Sequence, residues 1–408
     1  MYTIAETFVG AGGSHLGFKN NGFKSVYVND IDENCLKTLL YNNPEIKETA
    51  IVSNQDITTI DGKEVLKNIN MKKGELDVLF GGIVCKGFSL AGERSPADER
   101  NNYYHYQLDL VNELQPKISV IENVPGIMNA EILKRDVPQE VRDEVSGLWK
   151  RLENYKGYKA NARKLGKVDE ELERQGAELR KEKEKCVQSL RENGYLISVR
   201  EDIDNIYNEL GYRTYKKVLN SAWYGSSTKR ERIIIVAVRN DINIEYSFPE
   251  PIIKDEKDYK TVGDALALIK HDENDLDDIP MKHDEKTVRR FAYVGEGENL
   301  ATKIDELPEE LKISKFYSRG STMRLDSKKC SPTLVPGHSN FPIHPTEDRV
   351  ITVREASTIT GFPLNYKFFG SHTKRCEQVG NAVPPALSTA IAKECKNLLD
   401  NYYSESTD

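Results

Sequence analysis

The chain has 408 residues, of which 38% are hydrophobic and 30% charged, and its 65 acidic and 58 basic residues give a formal net charge of -7. At about 150 residues per domain, this length predicts two or three domains and a sizeable core. No apolar run approaches the roughly 20 residues of a membrane span, and the start of the chain lacks the pattern of a secretory signal. Six scattered cysteines without a C-x-x-C pair argue against a disulfide framework and a metal site, and favour a reducing cytoplasm.

Short apolar runs alternate with helix-like stretches through the first third of the chain. The runs that predict strands buried on both faces of a sheet lie at 3–9, 26–29, 77–80, 118–121 and 233–238. Strands of this kind are typical of parallel sheets that are covered on both faces. The pattern therefore predicts an α/β fold with a doubly wound sheet.

A different texture, rich in Glu, Lys, Arg and Leu, begins near residue 131 and continues to about residue 200. This segment contains 17 basic and 14 acidic residues, so its charge is nearly balanced. It predicts a long charged helix or a helical hairpin. We favour a solvated helical insertion, with a DNA-binding or partner-binding arm as the alternative.

The next region, 240–310, is strongly acidic. Its 20 acidic and 9 basic residues give a net charge of -11 against -7 for the whole chain, so the remainder carries +4. The densest part, residues 271–278, which we term the acidic segment, is expected to be a solvated loop. Turn signals and apolar periodicity return after residue 324, and an amphipathic helix is predicted over 385–399.

A glycine-rich turn, Phe8 to Gly13, follows the first predicted strand. Glycines at a strand-to-helix turn allow a ligand to approach the backbone closely. The turn does not match the dinucleotide fingerprint G-x-G-x-x-G, because its third glycine would fall at His15. Asp30 follows the second strand, where a carboxylate can accept hydrogen bonds from ribose hydroxyls, and Asp56 and Ile57 follow a third strand end. These residues predict a site for a nucleoside cofactor that lacks a pyrophosphate.

Reactive groups follow the later strands. Cys85 lies in a glycine-flanked loop and is a candidate nucleophile, although an inert packed thiol is the alternative. Glu122 comes at the end of the next strand, so its carboxyl group reaches the same edge of the sheet. Arg230 and Arg232 occupy alternate residues before another strand, which points their side chains the same way. A final turn, 380–385, opens the last helix.

These five motifs, in this order, resemble those of the DNA (cytosine-5)-methyltransferase family. The resemblance comprises the F-x-G-x-G turn, the cysteine loop ending in Gly-Phe-Ser, the E-N-V-x-G turn, the R-x-R pair and the closing G-N-x-V-P. A further stretch that begins at Arg324 and continues to Pro363 is similar to the family's segment between target recognition and the final helix. The combination extends over most of the chain, so chance assembly is implausible.

The resemblance implies a domain organisation. Residues 1–239 would form a catalytic domain with the S-adenosylmethionine-dependent methyltransferase sheet, from which the charged helical insertion at about 131–200 projects. A smaller target-recognition domain would occupy 240–350, and residues 351–408 would return to the catalytic domain. DNA would lie in the cleft between the two.

The resemblance also implies a reaction through a covalent adduct. The Cys85 thiolate would add to carbon 6 of a cytosine flipped out of the duplex, because carbon 5 is not nucleophilic enough to accept a methyl group directly. Glu122, protonated or sharing a proton, would stabilise ring nitrogen 3. Arg230 and Arg232 would hold the base and balance charge around the thiolate.

S-adenosylmethionine is the implied cofactor, and no metal is expected. Phe8 would pack on the adenine, the glycine turn would face the methionine end and Asp30 would bind the ribose. The residues assigned to the cofactor by motif matching are Phe8, Gly10, Ala11, Gly12, Asp30, Ile31, Asp56, Ile57, Tyr103, Asn381 and Ala382.

The implied partner is double-stranded DNA, with a cognate restriction nuclease left open. We expect a monomer in the cytoplasm, associated with the nucleoid and not with a membrane. Lys86, Ser89, Lys229 and Lys328 are the predicted DNA contacts. More broadly, we expect a basic cleft lined by Lys86, Lys229, Arg230, Arg319, Lys328, Lys329, Lys374 and Arg375.

Three residues depart from the family pattern. Val84 and Lys86 flank Cys85 where the family usually has proline and glutamine, and Thr228 replaces the glutamine that opens the arginine motif. The favoured interpretation is a tolerated variant in which Lys86 meets a DNA phosphate. The alternatives are an anionic, carboxy-substituted S-adenosylmethionine as donor, and a weakly active homologue that binds DNA.

Two further functions stay open on the same fold. One is cytosine methylation of tRNA, which is disfavoured because the Cys-Phe-Thr segment of that branch of the family is missing. The other is a regulatory DNA-binding protein without catalysis.

Overall fold

The computed structural model describes residues 1–83, 95–98, 103–164, 170–313, 322–337 and 340–405. Its strands are short, as the apolar runs predict. In chain order they are β1 (Thr3–Thr7), β2 (Lys24–Asn29), β3 (Ile51–Ser53), β4 (Val78–Gly82), β5 (Ile118–Asn123), β6 (Glu131–Leu133), β7 (Leu196–Ser198), β8 (Tyr212–Asn220) and β9 (Glu231–Arg239).

Seven of these strands form one sheet in the order β3-β2-β1-β4-β5-β9-β8. The first five strands in this order are parallel to one another. Strand β9 is antiparallel to both β5 and β8, between which it lies. The carboxyl ends of β1, β2, β4 and β5 consequently share one edge, which is where ligands bind in open α/β sheets.

Helices connect the strands, and some of them cover the sheet. They are α1 (Gly13–Asn20), α2 (Glu33–Asn42), α3 (Ile46–Thr49), α4 (Gly62–Asn68), α5 (Tyr103–Leu114), α6 (Gln139–Lys164), α7 (Glu170–Glu192), α8 (Val199–Glu209), α9 (Val262–Leu266), α10 (Glu285–Phe291), α11 (Val353–Thr360), α12 (His372–Asn381) and α13 (Pro385–Glu405). No helix in the described part of the chain is long and apolar enough to span a membrane.

Alternate residues of the central strands face two separate apolar layers. In β9, Ile233 and Ile235 join one layer, whereas Ile234 and Val236 join the layer on the opposite face. This burial on both sides explains why the strand is apolar at every position from Ile233 to Val238. The doubly wound α/β fold predicted from the sequence is confirmed.

The two ends of the chain pack together on one face of the sheet. Helix α1 lies so close to α13 that a Cβ atom added to Gly17 would come within 2.3 Å of Ser388. The Ser388 hydroxyl donates a hydrogen bond to the carbonyl oxygen of Gly13 at 2.8 Å. The predicted C-terminal helix is therefore present, and it holds the start of α1 in place.

Strand β8 was not predicted. It lies at the edge of the sheet and carries Arg213, Lys216 and Lys217. A search for wholly apolar runs misses such a strand, because an edge strand has a neighbour on one side only and keeps much of its surface in water.

The helical insertion is an antiparallel hairpin of α6 and α7, which we term the helical hairpin. Its base is the two-stranded antiparallel sheet of β6 and β7, in which Glu131 is paired with Ser198 and Leu133 with Leu196. Leu148, Trp149 and Leu152 belong to a separate small core there. The charged helical insertion inferred from the sequence is thus confirmed as a hairpin.

Residues from Val262 to Ala382 share another core, which also includes Ala11 and Leu16 of the glycine turn and α1. Arg324 organises this core because its buried guanidinium donates to several backbone carbonyls. The contacts are to Phe291 O at 2.8 Å, Val294 O at 2.5 Å, His344 O at 2.7 Å and Glu347 O at 2.7 Å. The domain boundaries at 239 and 350 stay a prediction.

Candidate active site

The glycine turn adopts the backbone conformation that its sequence favours. Gly10 and Gly12 have positive φ angles of 56° and 90°, and Phe8 shares this conformation with a φ of 51°. A Cβ atom on Gly12 would lie 2.9 Å from the hydroxyl of Tyr366, whereas one on Gly10 would meet nothing within 4 Å. The backbone at Gly10 is therefore open to a ligand.

A buried carboxylate from β1 lies against the first turn of α1. Glu6, at 0% exposure, accepts a hydrogen bond from the Ser14 hydroxyl at 3.0 Å and lies 2.9 Å from Nδ1 of His15. The N-terminus of a helix is a common place for a phosphate. Because Glu6 supplies a negative charge there, the turn disfavours a pyrophosphate, in agreement with the nucleoside cofactor predicted from the sequence.

The loop after β2 is held by its neighbours. Asp30 accepts hydrogen bonds from the backbone N–H groups of Gly10 and Asp32, both at 2.8 Å. Burial raises the pKa of Asp30, and these two hydrogen bonds oppose the shift. The side chain of Asn54 donates to the carbonyls of Asp30 and Ile31. Asn54 is a supporting residue that the motif matching missed.

The apolar residues assigned to the cofactor differ in their exposure. The Ile31 side chain is 64% exposed, which is unusual for isoleucine. The rings of Phe8 and Tyr103 lie 6.4 Å apart, while Ile57 is buried in the sheet core. Asp56 caps the following turn by accepting from the N–H of Thr58, so one of its oxygens has a structural role.

The closing motif meets the glycine turn, although the two are separated by most of the chain. A Cβ atom on Gly13 would come within 2.1 Å of the Val383 carbonyl oxygen and 3.4 Å of Ala382. Asn381 is exposed at the end of α12. The structure thus brings Ala382 to the turn.

Glu122 forms an ion pair at the end of β5. Its Oε1 atom lies 2.6 Å from Nε of Arg232, and both side chains are about one-tenth exposed. A Cβ atom on Gly82, three residues before Cys85, would lie 3.8 Å from Oε2 of Glu122. The carboxylate is therefore next to the strand end that leads to the cysteine.

Arg230 is buried beside this pair. Burial and the charge of Arg232 lower the pKa of Arg230 to about 9, and the Glu122 carboxylate opposes the shift. Its Nη1 donates to the Leu334 carbonyl at 3.4 Å, and its Nε has no hydrogen-bond partner among the described residues. An unpartnered donor of a buried cation is costly unless something binds it. Arg230 is thus suited to a polar ligand.

The residues around these arginines are fixed by hydrogen bonds. Thr228, at the position of the family's glutamine, donates to the Pro332 carbonyl at 3.0 Å. Asn123 donates to the Ile83 carbonyl at 3.1 Å, which fixes the backbone two residues before Cys85. Asn123 was not assigned a role, although its place in E-N-V-x-G is a signal that could have indicated one.

Several predicted residues lie outside the described ranges: Val84, Cys85, Lys86, Ser89 and Arg319. Among the described DNA candidates, Lys328 is exposed. Lys229 contacts Glu256, so it already has an acidic partner. The DNA contacts stay predictions.

Two members of the expected basic cleft are engaged elsewhere. Lys374 lies 3.0 Å from Asp32, and Arg375 lies 2.8 Å from Asp277 with 11% of its side chain exposed. The prediction that Arg375 lines an open cleft is therefore wrong, because its charge is neutralised inside the protein.

The acidic segment also differs from expectation. Asp277 and Asp278 are 2% and 8% exposed. Asp278 lies 2.9 Å from Nδ1 of His271, and Asp277 is paired with arginine. The interpretation of the whole segment as a solvated loop is wrong at these two residues, because buried carboxylates need counter-charges or hydrogen bonds.

A family model for C-5 cytosine-specific DNA methylases matches residues 2–139 and 178–397. The match leaves out most of α6 and the start of α7. The motifs that carried the resemblance fall within the two matched ranges, so this result confirms it.

Curated bacterial relatives match along nearly the whole chain. The Type II methyltransferase M.Eco47II of Escherichia coli is 29% identical over 415 residues, covering 98% of this chain and 80% of the relative. The Type II methyltransferase M1.HphI of Haemophilus parahaemolyticus is 30% identical over 399 residues, covering 96% and 86%.

The fold is shared with solved structures. A DNA modification methyltransferase encoded within an Escherichia coli prophage superposes with a TM-score of 0.65 at 22% identity, covering 98% of this chain and all of that one. The family model, the relatives and the shared fold all indicate the same family, and the residues at the sheet edge are those of its motifs. The chain belongs to the C-5 cytosine-specific DNA methylase family.

Proposed function

We propose that this protein methylates carbon 5 of cytosine in double-stranded DNA, through a covalent Cys85 adduct with a flipped-out base, as the modification enzyme of a Type II system. The observation that carries the proposal is the Glu122–Arg232 pair, with buried Arg230 beside it, against the strand end three residues before Cys85. The Type II assignment rests on the names of the relatives.

The residues around the glycine turn fit S-adenosylmethionine. The open backbone at Gly10, the carboxylate of Asp30 and the exposed Ile31 offer room, a ribose acceptor and an apolar contact. When bound, this cofactor supplies an electrophilic methyl group. Glu6 places negative charge near the turn, which suits a sulfonium better than a phosphate.

Each site residue then has a role. The Cys85 thiolate adds to carbon 6 of the base, and Glu122, protonated or sharing a proton, stabilises the charge that develops at ring nitrogen 3. Arg230 and Arg232 hold the base, with the free Nε of Arg230 as a donor. After carbon 5 has been methylated, its proton is lost to water or hydroxide and the Cys85 sulfur leaves carbon 6.

Incorporation of label from S-adenosylmethionine into mixed-sequence DNA tests the activity. Cys85→Ser should abolish incorporation, whereas the matched control Cys186→Ser, on the helical hairpin, should retain it. DNA containing 5-fluorocytosine should form a covalent adduct with the wild type and none with Cys85→Ser. Equal incorporation by both variants would refute the role of Cys85.

The product identifies donor and substrate. Nucleosides from the DNA of cells that express the protein should include plain 5-methylcytosine, and a heavier carboxymethyl product would instead establish the anionic donor. Methyl transfer to tRNA in preference to DNA would contradict double-stranded DNA as the substrate.

A further inference from the structure

We propose that Asp277, Lys374 and Tyr366 are positioning residues for the cofactor site, joined in a polar network that ties the acidic segment to both ends of that site. The inference rests on the proposed function, because it concerns S-adenosylmethionine binding. It assigns a role to an acidic segment that stands in the region expected to face DNA.

The network begins at a buried carboxylate. Asp277 accepts hydrogen bonds from Nη1 of Arg375 at 2.8 Å and from the backbone N–H of Phe368 at 2.9 Å. Its side chain is 3% exposed. A carboxylate with two fixed donors and no access to water holds those donors in one geometry.

One route leads from Asp277 to the ribose end. Arg375 lies on α12, and the preceding residue, Lys374, donates from Nζ to Asp32 at 3.0 Å. The backbone N–H of Asp32 in turn donates to Asp30, the predicted ribose acceptor, at 2.8 Å. Adjacent residues of one helix thus bind the acidic segment on one side and the cofactor loop on the other.

A second route leads to the methionine end. Arg354 donates from Nε to Asp275 at 2.8 Å, and its Nη2 lies 3.6 Å from Asp277. Its Nη1 donates to the carbonyl of Tyr366 at 2.7 Å. The Tyr366 hydroxyl donates to the Ala11 carbonyl, inside the glycine turn, at 2.6 Å.

The two routes act on different parts of S-adenosylmethionine, so their effects on binding can be measured separately. Two carboxylates of the acidic segment face two guanidiniums, so removing one partner leaves a buried charge uncompensated and shifts the rest. Lys374 acts on the loop that holds the nucleoside. Tyr366 acts on the turn that holds the amino-acid part, which adenosine lacks.

The test measures dissociation constants by calorimetry on the full chain without DNA, with S-adenosylmethionine and adenosine as the two probes. Lys374→Met should weaken both probes by about threefold, because the Lys374–Asp32 pair is partly exposed and water screens part of its attraction. Tyr366→Phe should weaken S-adenosylmethionine to a similar extent and leave adenosine unchanged. Asp277→Asn should weaken both probes. Glu273→Gln removes an exposed charge from the same segment and should change neither.

The outcomes separate the inference from the proposed function. If the wild type binds no S-adenosylmethionine, the proposed function fails. If the wild type binds it and Lys374→Met and Tyr366→Phe both bind like the wild type, the positioning network is refuted. Equal weakening of both probes by Tyr366→Phe would also refute it, because a general loss of structure has no preference for the methionine end. These two variants keep the test valid if Asp277→Asn fails to fold.

Discussion

The helical hairpin and the acidic segment are both densely charged, but they place their charges differently. Arg151 and Glu182 face each other across the hairpin with about half of each side chain exposed. In the acidic segment, Asp277 and Asp278 are buried, and Asp277 is paired with Arg375, whose side chain is 11% exposed. The hairpin therefore uses charge to remain solvated, whereas the acidic segment uses it to hold distant parts of the chain together.

This difference has an energetic basis. Exposed ion pairs contribute little to stability because water screens them. Breaking a buried pair costs about 3 to 5 kcal/mol, since the remaining charge loses its partner without regaining water. Charge density alone therefore does not indicate how well a segment tolerates substitution. The stability cost depends on whether the ion pair is exposed or buried.

The largest effect is expected at Arg324, the buried cation in the same part of the chain as the acidic segment. Arg324→Met should lower the free energy of unfolding by about 3 to 5 kcal/mol, because several backbone carbonyls and Asp348 lose their donor. Urea denaturation measures the change. Lys328→Met, at an exposed neighbouring residue, is the control and should lower the free energy of unfolding by less than about 0.5 kcal/mol. If Arg324→Met lowered the free energy of unfolding by less than about 1 kcal/mol, the claim that buried charges here are costly to remove would be contradicted.

Packing, not charge, should limit the hairpin. A Cβ atom on Gly176 would lie 2.1 Å from the ring of Tyr155, whereas one on Gly157 would meet nothing within 4 Å. Gly157→Ala should stabilise the hairpin by up to about 1 kcal/mol through helix propensity. Gly176→Ala should instead destabilise it by about 1 to 3 kcal/mol through overpacking. Hydrogen exchange of α6 and α7 amides measures both, and changes of the same sign would refute this interpretation.

Shortening the hairpin tests its independence from the site. Replacing residues 154–179 by a short Gly-Ser turn keeps the base, where the Leu133 N–H donates to the Pro96 carbonyl at 3.1 Å. The rate of methyl transfer to DNA should stay within about threefold, a change of less than 1 kcal/mol in the barrier. A folded but inactive variant would show that the distal hairpin takes part in DNA binding or catalysis.

The features that the sequence predicted best are those that depend on residues close together in the chain. Interior strands could be predicted because every residue of β9 from Ile233 to Val238 faces an apolar layer, and the sheet edge placed Glu122 toward the Cys85 loop. Asp277 and Arg375 are 98 residues apart. No local periodicity pairs such residues, so the acidic segment was assigned to solvent.

Supporting residues were harder to predict than those in the motifs. Asn54 and Asn123 act through hydrogen bonds to backbone carbonyls, a role that many side chains can fill. Arg230 was identified from the R-x-R pattern, but its complete burial and free Nε depend on packing against Leu334, which lies far along the chain. Motifs predict which groups meet, and tertiary contacts decide how firmly each is held.

The smallest effect is expected for a single charge on the hairpin. Glu182→Gln removes the partner of Arg151 and should lower the free energy of unfolding by about 0.5 kcal/mol or less. The loss should disappear between 0.1 M and 1 M salt, because the screening length falls from about 10 Å to about 3 Å. Asp277→Asn is the matched change in the acidic segment, and its larger cost should persist at high salt because the pair is buried. If both variants responded alike to salt in urea denaturation, the distinction between the two regions would fail.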